Sequence, residues 1–348
     1  MIPHCHTMIP IHRIFSLVFI IGASVLLYVI WHLKTQQTVQ KNMVRMSHVE
    51  DEATMEDPRP LLNPGIMFVE TSDNLELKPL VMCSVESTAR QNPDKTIYFF
   101  MKGFSGNLSQ YPEPKYRLIP LLSSMKNVVL LPLNANELFD DTSLNTWYQK
   151  VNPKEERYWL NVFADGCRFA LLWKYGGIYL DTDIISMKSI PFGNFTCPEN
   201  SDYISVGAIG FSHRYHPFLW NCMKDFVANY NGAIWGQQGP QLITRVMKRW
   251  CQIDNIGAFI GKECNNISLW ITDRFYPIPW SAWEKYFAPW KMKDVERILS
   301  VSYGAHVWNF MNSSRKKKVI AGSGSLIEHF FQLYCPTTYR NLNQLNNI

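Results

Sequence analysis

The sequence predicts an α/β domain carried behind an N-terminal transmembrane helix. Three observations lead there. Short β-branched and aromatic runs alternate with segments of helical spacing through residues 64–348. An uncharged run, IFSLVFIIGASVLLYVIW, fills residues 14–31, and about 17–25 apolar residues span a bilayer as a helix. Two aspartates, Asp181 and Asp183, interrupt an apolar run at the end of a short strand, where open α/β sheets bind their ligands.

The chain has 348 residues, 47% hydrophobic and 18% charged, so it holds one large globular domain plus accessory segments. A net charge of +5 is too small to argue for a nucleic-acid partner. The 12 Trp, 16 Tyr and 20 Phe predict an aromatic core, with a minority free to form stacking platforms for sugar faces.

Bulky Tyr28, Ile30, Trp31 and His32 follow the apolar run where a cleaved signal would carry small residues. The run therefore reads as an uncleaved anchor. Asn-x-Ser/Thr acceptors at Asn107, Asn194, Asn266 and Asn312 all lie after it, which puts the body in the lumen. Cys83, Cys167, Cys197, Cys222, Cys251, Cys264 and Cys335 also follow it. In an oxidising compartment some of them should pair, and their odd number leaves at least one over. The expected organisation is a cytosolic tail (1–13), a signal-anchor (14–31), a polar stem containing Pro58 and Pro60 (32–63) and a luminal domain (64–348).

Within the body, Ile66–Val69, Thr96–Met101, Val128–Leu131 and Ile178–Leu180 read as strands. Residues 79–91, 134–140 and 155–174 read as helices, and the alternation predicts a mainly parallel sheet. Neither GxGxxG nor GxxxxGK[ST] is present, so phosphate charge must be neutralised another way.

The segment from Ala164 to Ser186 carries the chemistry. Asp165 and Arg168 are three apart in a helical stretch and share a face. Asp181 and Asp183 alternate in what reads as a strand, so their carboxylates should point to one side. Burying two carboxylates is costly unless a cation compensates. Oxygen ligands at a strand end suit Mn²⁺ or Mg²⁺, and such an ion can stabilise a departing diphosphate. For the tripeptide alone an exposed acidic turn is the alternative; the surrounding YGGIYLDTD favours the site.

That block resembles the donor-binding region of DxD sugar transferases. Over about residues 65–340 the chain resembles the vertebrate α1,4-glycosyltransferase family. The likeness is carried by Glu70-Thr71-Ser72, Cys83 to Ser87, Phe100 to Gly103, Ile234-Trp235-Gly236, Gln238-Gly239-Pro240, Phe275 to Ile278, His306 to Asn309 and Cys335-Pro336. The resemblance implies a GT-A fold (nucleotide-sugar-binding, Rossmann-like), a UDP-sugar donor, Mn²⁺ and retention of the α configuration. It implies Asp183 as the main metal ligand, Asp181 on metal-bound water or the ribose, and His306 as a late metal ligand. It puts Asp165 and Arg168 on the donor hexose, Glu70 and Thr71 among the donor-binding residues, and Gln238 beside the sugar's reacting face. The chain departs from the pattern at Val206, where relatives carry Asn.

The expected activity is transfer of GlcNAc from UDP-GlcNAc to a terminal β-galactose of an O-glycan, in the Golgi membrane, with type II topology. Ile185-Ser186, Ile190-Pro191, His216 to Trp220 and Trp308-Asn309 resemble the GlcNAc branch. Pro279-Trp280 and Cys335 to Thr338 resemble the galactose branch, which would use UDP-Gal and a lactosylceramide acceptor. A reading of another class, motivated by Val206, is a catalytically weak Golgi glycan-binding protein. Retention by double displacement needs a carboxylate nucleophile. None announces itself beyond the three aspartates, so same-face attack is expected.

Overall fold

The computed structural model describes residues 62–111 and 115–345. The tail, the anchor and the stem up to residue 61 lie outside them. Among the described residues no helix is long and apolar enough to cross a membrane.

The chain opens with β1 (Ile66–Glu70), α1 (Pro79–Gln91), β2 (Ile97–Met101), α2 (Leu118–Ser123) and β3 (Val128–Pro132). Two short helices, α3 (Ala135–Phe139) and α4 (Leu144–Tyr148), precede the long α5 (Trp159–Tyr175). Then come β4 (Gly177–Leu180), β5 (Ile184–Ser186), β6 (Phe195–Pro198) and β7 (Ile204–Phe211). They are followed by α6 (Pro217–Ala228), α7 (Pro240–Cys251), β8 (Glu263–Cys264) and β9 (Ile267–Leu269). The last elements are α8 (Met292–Leu299), β10 (Gly304–His306), α9 (Leu326–Tyr334) and α10 (Pro336–Leu345).

Eight strands form one sheet in the order β3-β2-β1-β4-β7-β6-β9-β8. β3, β2, β1 and β4 are parallel, joined by helices. β4–β7, β7–β6 and β9–β8 are antiparallel, while β6–β9 is parallel. The α/β class is as expected, but the sheet is mixed rather than mainly parallel. The reason is that β6 returns to β7 through a short turn, which only antiparallel strands can share.

Side chains alternate across β1. Ile66 and Phe68 enter one apolar cluster with Val85 of α1 and Phe330 of α9. Met67 and Val69 enter the other, with Phe163 of α5, Phe226 of α6 and Ile243 of α7. Apolar layers on both faces explain why β1 and β2 read as unbroken hydrophobic runs.

α5 begins at Trp159, four residues later than the spacing suggested. Asn152 accepts from Lys154 N–H and donates to Glu155, a side-chain turn that competes with helix. Leu172 O accepts the Gly176 N–H, ending α5. Gly177 then sits at φ 99°, where a Cβ would lie 2.3 Å from Gly65 O. Only glycine lets β4 start this close to the entry of β1.

Cys83–Cys335 and Cys251–Cys264 are disulfides, with Cα separations of 5.1 and 5.8 Å. Cys167, Cys197 and Cys222 are buried thiols. Beside the first bridge, Glu86 accepts from Thr337 N–H and Thr338 N–H, both at 2.8 Å. The C-terminal helix is thereby fastened to α1. Asn107 and Asn266 are exposed, whereas Asn194 and Asn312 are half-buried.

Candidate active site

β4 ends at Leu180 and β5 starts at Ile184, so Asp181-Thr182-Asp183 is a turn and not a strand. The two carboxylates converge because Ile184 N–H donates to Asp181 O across that turn, at 3.0 Å. Strand pleating, the basis of the sequence reading, is not the cause. The turn crosses from the main sheet to a second one, because β5 pairs antiparallel with β10 and sets His306 opposite Ile184.

Each carboxylate has one oxygen held by the protein and one facing His306. Asp181 Oδ1 accepts from the Tyr179 hydroxyl at 2.9 Å and pairs with Arg168 Nη1 at 3.1 Å. Asp181 Oδ2 lies 3.7 Å from His306 Nε2. Asp183 Oδ2 accepts from Asn309 N–H at 2.8 Å, and Asp183 Oδ1 is 3.2 Å from His306 Nε2. Trp308 N–H donates to His306 Nδ1 at 3.2 Å, which turns Nε2 toward the carboxylates. Trp308 itself has φ 59°, a left-handed conformation that costs a bulky residue about 1–3 kcal/mol. In exchange the Asn309 N–H is aimed at Asp183.

Burial pushes the Asp181 carboxyl up, but Arg168, His306 and Tyr179 outweigh it and hold it below the ordinary range. Burial and the neighbouring Asp181 push Asp183 up, against His306. Burial would lower the His306 imidazole, but Asp183 and Asp181 raise it instead. Three groups that perturb one another this way form a functional-site candidate.

One ligand atom from each of Asp181, Asp183 and His306 lies within 4.8 Å of the others. Two carboxylate oxygens and an imidazole nitrogen fit a hard-to-borderline divalent cation. Gly207 leaves that space open, since a Cβ there would stand 2.8 Å from Asp181 Oδ2 and 3.2 Å from the Tyr276 hydroxyl. The Tyr276 hydroxyl is itself buried and faces the same space as Asp181 Oδ2. A site that must also take phosphate oxygens has a use for such a group.

Next to this cluster, α5 presents Asp165 and Arg168, both buried. Arg168 Nη2 is 3.3 Å from Asp165 Oδ1. Arg168 Nε donates to Ala164 O and Nη1 donates to Val206 O. Its guanidinium braces Asp165 to Asp181. Burial pushes Asp165 up to about 7, with Arg168 opposing and Asp181 adding. Gly239 lies against Asp165, and a Cβ there would stand 2.7 Å from Oδ2.

The remaining expected residues are placed as follows. Glu70 and Thr71 sit at the carboxyl end of β1, beside β4. Glu70 accepts from Ser72 N–H, and the Thr71 hydroxyl donates to Leu160 O at 3.1 Å. Gln238 is buried, with Oε1 accepting from Asn231 N–H and Nε2 donating to Phe226 O. Both ends of its amide are used by neighbouring backbone. Sequence reasoning missed Tyr179, Asn309 and Tyr276. Only Tyr179 carried a local signal, two residues before Asp181 and on its face of the chain.

Residues 79–202 match a family model described as a glycosyltransferase sugar-binding region containing the DXD motif. Residues 211–342 match one described as an alpha 1,4-glycosyltransferase conserved region. Human alpha-1,4-N-acetylglucosaminyltransferase is 44% identical over 80% of this chain and 80% of its own length. Human lactosylceramide 4-alpha-galactosyltransferase is 39% identical over 95% of this chain and 94% of its own. The mouse enzyme of that name is 42% identical over 81% and 77%. Asp165, Asp181 and Asp183 fall in the first matched region and His306 in the second. The chain belongs to the α1,4-glycosyltransferase family, UDP-sugar-dependent hexosyltransferases that act on glycan or glycolipid acceptors.

Proposed function

We propose that this chain is a GT-A-type Golgi enzyme that moves GlcNAc from UDP-GlcNAc, with retention, to the 4-hydroxyl of a terminal β-galactose on an O-glycan. The observation that carries the proposal is the convergence of Asp181 Oδ2, Asp183 Oδ1 and His306 Nε2 beside a buried Asp165. The GlcNAc branch is supported by the 44% identity to the human GlcNAc transferase and by Ile185-Ser186, Ile190-Pro191 and His216 to Trp220. Golgi location and type II topology are supported by the uncharged run at 14–31 and the sequons that follow it.

In this reading Asp181, Asp183 and His306 hold a divalent cation, for which Mn²⁺ is the natural choice because it accepts both carboxylate and imidazole. When bound, it supplies positive charge against the leaving diphosphate. Asp165 accepts a hydrogen bond from the donor hexose, and Gly239 leaves room for that sugar. Arg168 keeps both carboxylates oriented. Asp181 is the carboxylate that acts on Asp165, and Arg168 already holds it. Glu199, raised by burial, interacts with His306. Same-face attack follows. The acceptor oxygen bonds to the anomeric carbon as the bond to UDP breaks, and the departing UDP oxygen takes the acceptor's proton.

Val206 is where the donor reading is most exposed. Its carbonyl accepts from Arg168, while its side chain is buried in the apolar cluster with Leu242 and Ile243. It offers the sugar no amide. A second reading, transfer of galactose from UDP-Gal to lactosylceramide, draws support from the 95% coverage shared with the human galactosyltransferase. To decide, the full chain is offered both nucleotide sugars with a β-galactoside acceptor. A product heavier by N-acetylhexosamine supports the first reading, and one heavier by hexose replaces it with the second. Donor hydrolysis without transfer to any acceptor contradicts both.

A further inference from the structure

Trp235 and Phe310 are large apolar side chains that stay 43% and 49% exposed. Their rings nevertheless stack on each other, with centroids 4.0 Å apart and planes 21° apart. Tyr158 meets Trp235 edge-on at 5.3 Å. The three residues come from separate segments, and each segment is tied to the site described above.

Trp235 precedes Gly236, whose carbonyl accepts from Gly239 N–H at 3.2 Å, and Gly239 lies against Asp165. Gln241 Nε2 donates to Trp235 O at 2.9 Å, which fixes the loop to α7. Phe310 follows Asn309, the residue whose N–H donates to Asp183. Tyr158 immediately precedes α5, which carries Asp165. The Trp235–Phe310 stack therefore bridges the loop over Asp165 and the loop under Asp183. An exposed aromatic pair at this position costs solvation unless something covers it.

We propose that the outer surface of the Trp235–Phe310 pair is the acceptor platform, and that it takes the apolar face of a terminal β-galactose. This rests on the reading of the function given above. Aromatic rings attract the weakly positive C–H edges of a pyranose. In β-galactose the C3–H, C4–H and C5–H bonds share one face, and the 4-hydroxyl is axial on the opposite face. Laying the C–H face on the rings leaves the 4-hydroxyl on the opposite side of the sugar, uncovered by the platform and free to react. Glucose, with an equatorial 4-hydroxyl, presents no such continuous C–H patch. The platform thus selects both the galactose configuration and the hydroxyl that reacts.

The test uses the full chain in detergent with UDP and Mn²⁺, and methyl β-galactoside or methyl β-glucoside as probe. Saturation-transfer NMR on the galactoside is expected to be strongest at the C3, C4 and C5 hydrogens and weak throughout the glucoside. Trp235→Ala and Phe310→Ala should each erase that pattern and raise the acceptor KM about tenfold, the loss of one aromatic contact. Donor KM and the thermal unfolding midpoint should stay put, and Trp235→Tyr should recover most of the acceptor KM. If both alanine variants keep the pattern and the acceptor KM, the platform is overturned while the functional reading stands. An equal rise in donor KM would also overturn it, because the pair would then be shaping the donor site. If the wild type transfers to no β-galactoside yet shows the pattern, and Trp235→Ala loses it, the functional reading fails and the platform stands.

Discussion

Arg168 Nη1 stands 3.1 Å from Asp181 Oδ1, and this ion pair joins helix α5 to the aspartate turn. The same guanidinium reaches Asp165 through Nη2 at 3.3 Å and two backbone carbonyls, Ala164 O and Val206 O. It holds in one geometry the carboxylate nearest the donor sugar's expected place and one carboxylate of the expected cation site. Lysine cannot copy that fork, because an ammonium is a point charge without planar, paired donors. Arg168→Lys is expected to lower kcat/KM by about a hundredfold, a typical cost of misplacing reacting groups by about 1 Å. It should also weaken cation affinity, measured by titrating Mn²⁺ against the protein. Arg168→Ala should in addition destabilise the fold by about 3 kcal/mol, since it leaves the buried Asp165 and the half-buried Asp181 without their counter-ion. Unchanged cation affinity in Arg168→Lys would contradict the bracing role.

Gly207 and Asp181 set a steric limit. A Cβ at residue 207 would lie 2.8 Å from Asp181 Oδ2, so Gly207→Ala must push the carboxylate out of place. Backbone strain is not at issue, because Gly207 is not among the positive-φ glycines. The expected result is a fall in kcat of about a hundredfold with an unfolding midpoint close to wild type. Wild-type turnover in the variant would show that Asp181 Oδ2 need not occupy that space.

Asp165 should make stability depend on pH. Its folded value is about 7 against a reference of 3.8, raised first by burial. A raised carboxyl favours the protonated form in the folded state. The stabilisation is complete below the unfolded value and is lost as pH rises through the folded value. Asp165→Asn removes this dependence. Its unfolding midpoint should therefore gain on the wild type as pH rises from about 4 to about 7, while transfer activity drops. A midpoint difference that is flat across that window would mean Arg168 fully compensates the buried charge.

Asp183 and His306 should show their coupling through ligand-linked stability. Millimolar Mn²⁺ with UDP raises the wild-type unfolding midpoint if the folded state alone binds them. Asp183→Asn and His306→Ala are each expected to abolish most of that rise. Without the ion, Asp183→Asn should be as stable as wild type or more so, because burial and Asp181 already disfavour the charge there. An undiminished rise in both variants would place the cation elsewhere.

The sequence was most readable where residues close in the chain are also close in space. The Asp165–Arg168 pair sits three residues apart on α5 and appears as a contact. Asp181 and Asp183 were legible as a pair, although a turn, not a strand, brings them together. Contacts between distant segments left no local trace. The Asn309 N–H on Asp183 depends on Trp308 adopting φ 59°, and nothing in an Asn-Phe sequence announces that. Tyr276 reaches Gly207 from another segment altogether. The bonds that Gln238 makes to Asn231 N–H and Phe226 O likewise join residues seven and twelve apart and left no local trace. The antiparallel half of the sheet escaped for two reasons: β8 and β9 have only two and three residues, too short for alternation to register, and the eight-residue β7 is buried along its whole length, so it shows no alternation.

The central claim is that Asp181, Asp183 and His306 form the cation site on which sugar transfer depends. The most direct measurement is the rate of transfer from a UDP-sugar to a β-galactoside as Mn²⁺ is titrated, in wild type and in Asp183→Ala. The account predicts a wild-type rate that saturates with Mn²⁺ and vanishes with chelator. It predicts a folded variant that stays inactive at every concentration. Transfer that persists in Asp183→Ala, or proceeds in the wild type after complete chelation, would contradict it.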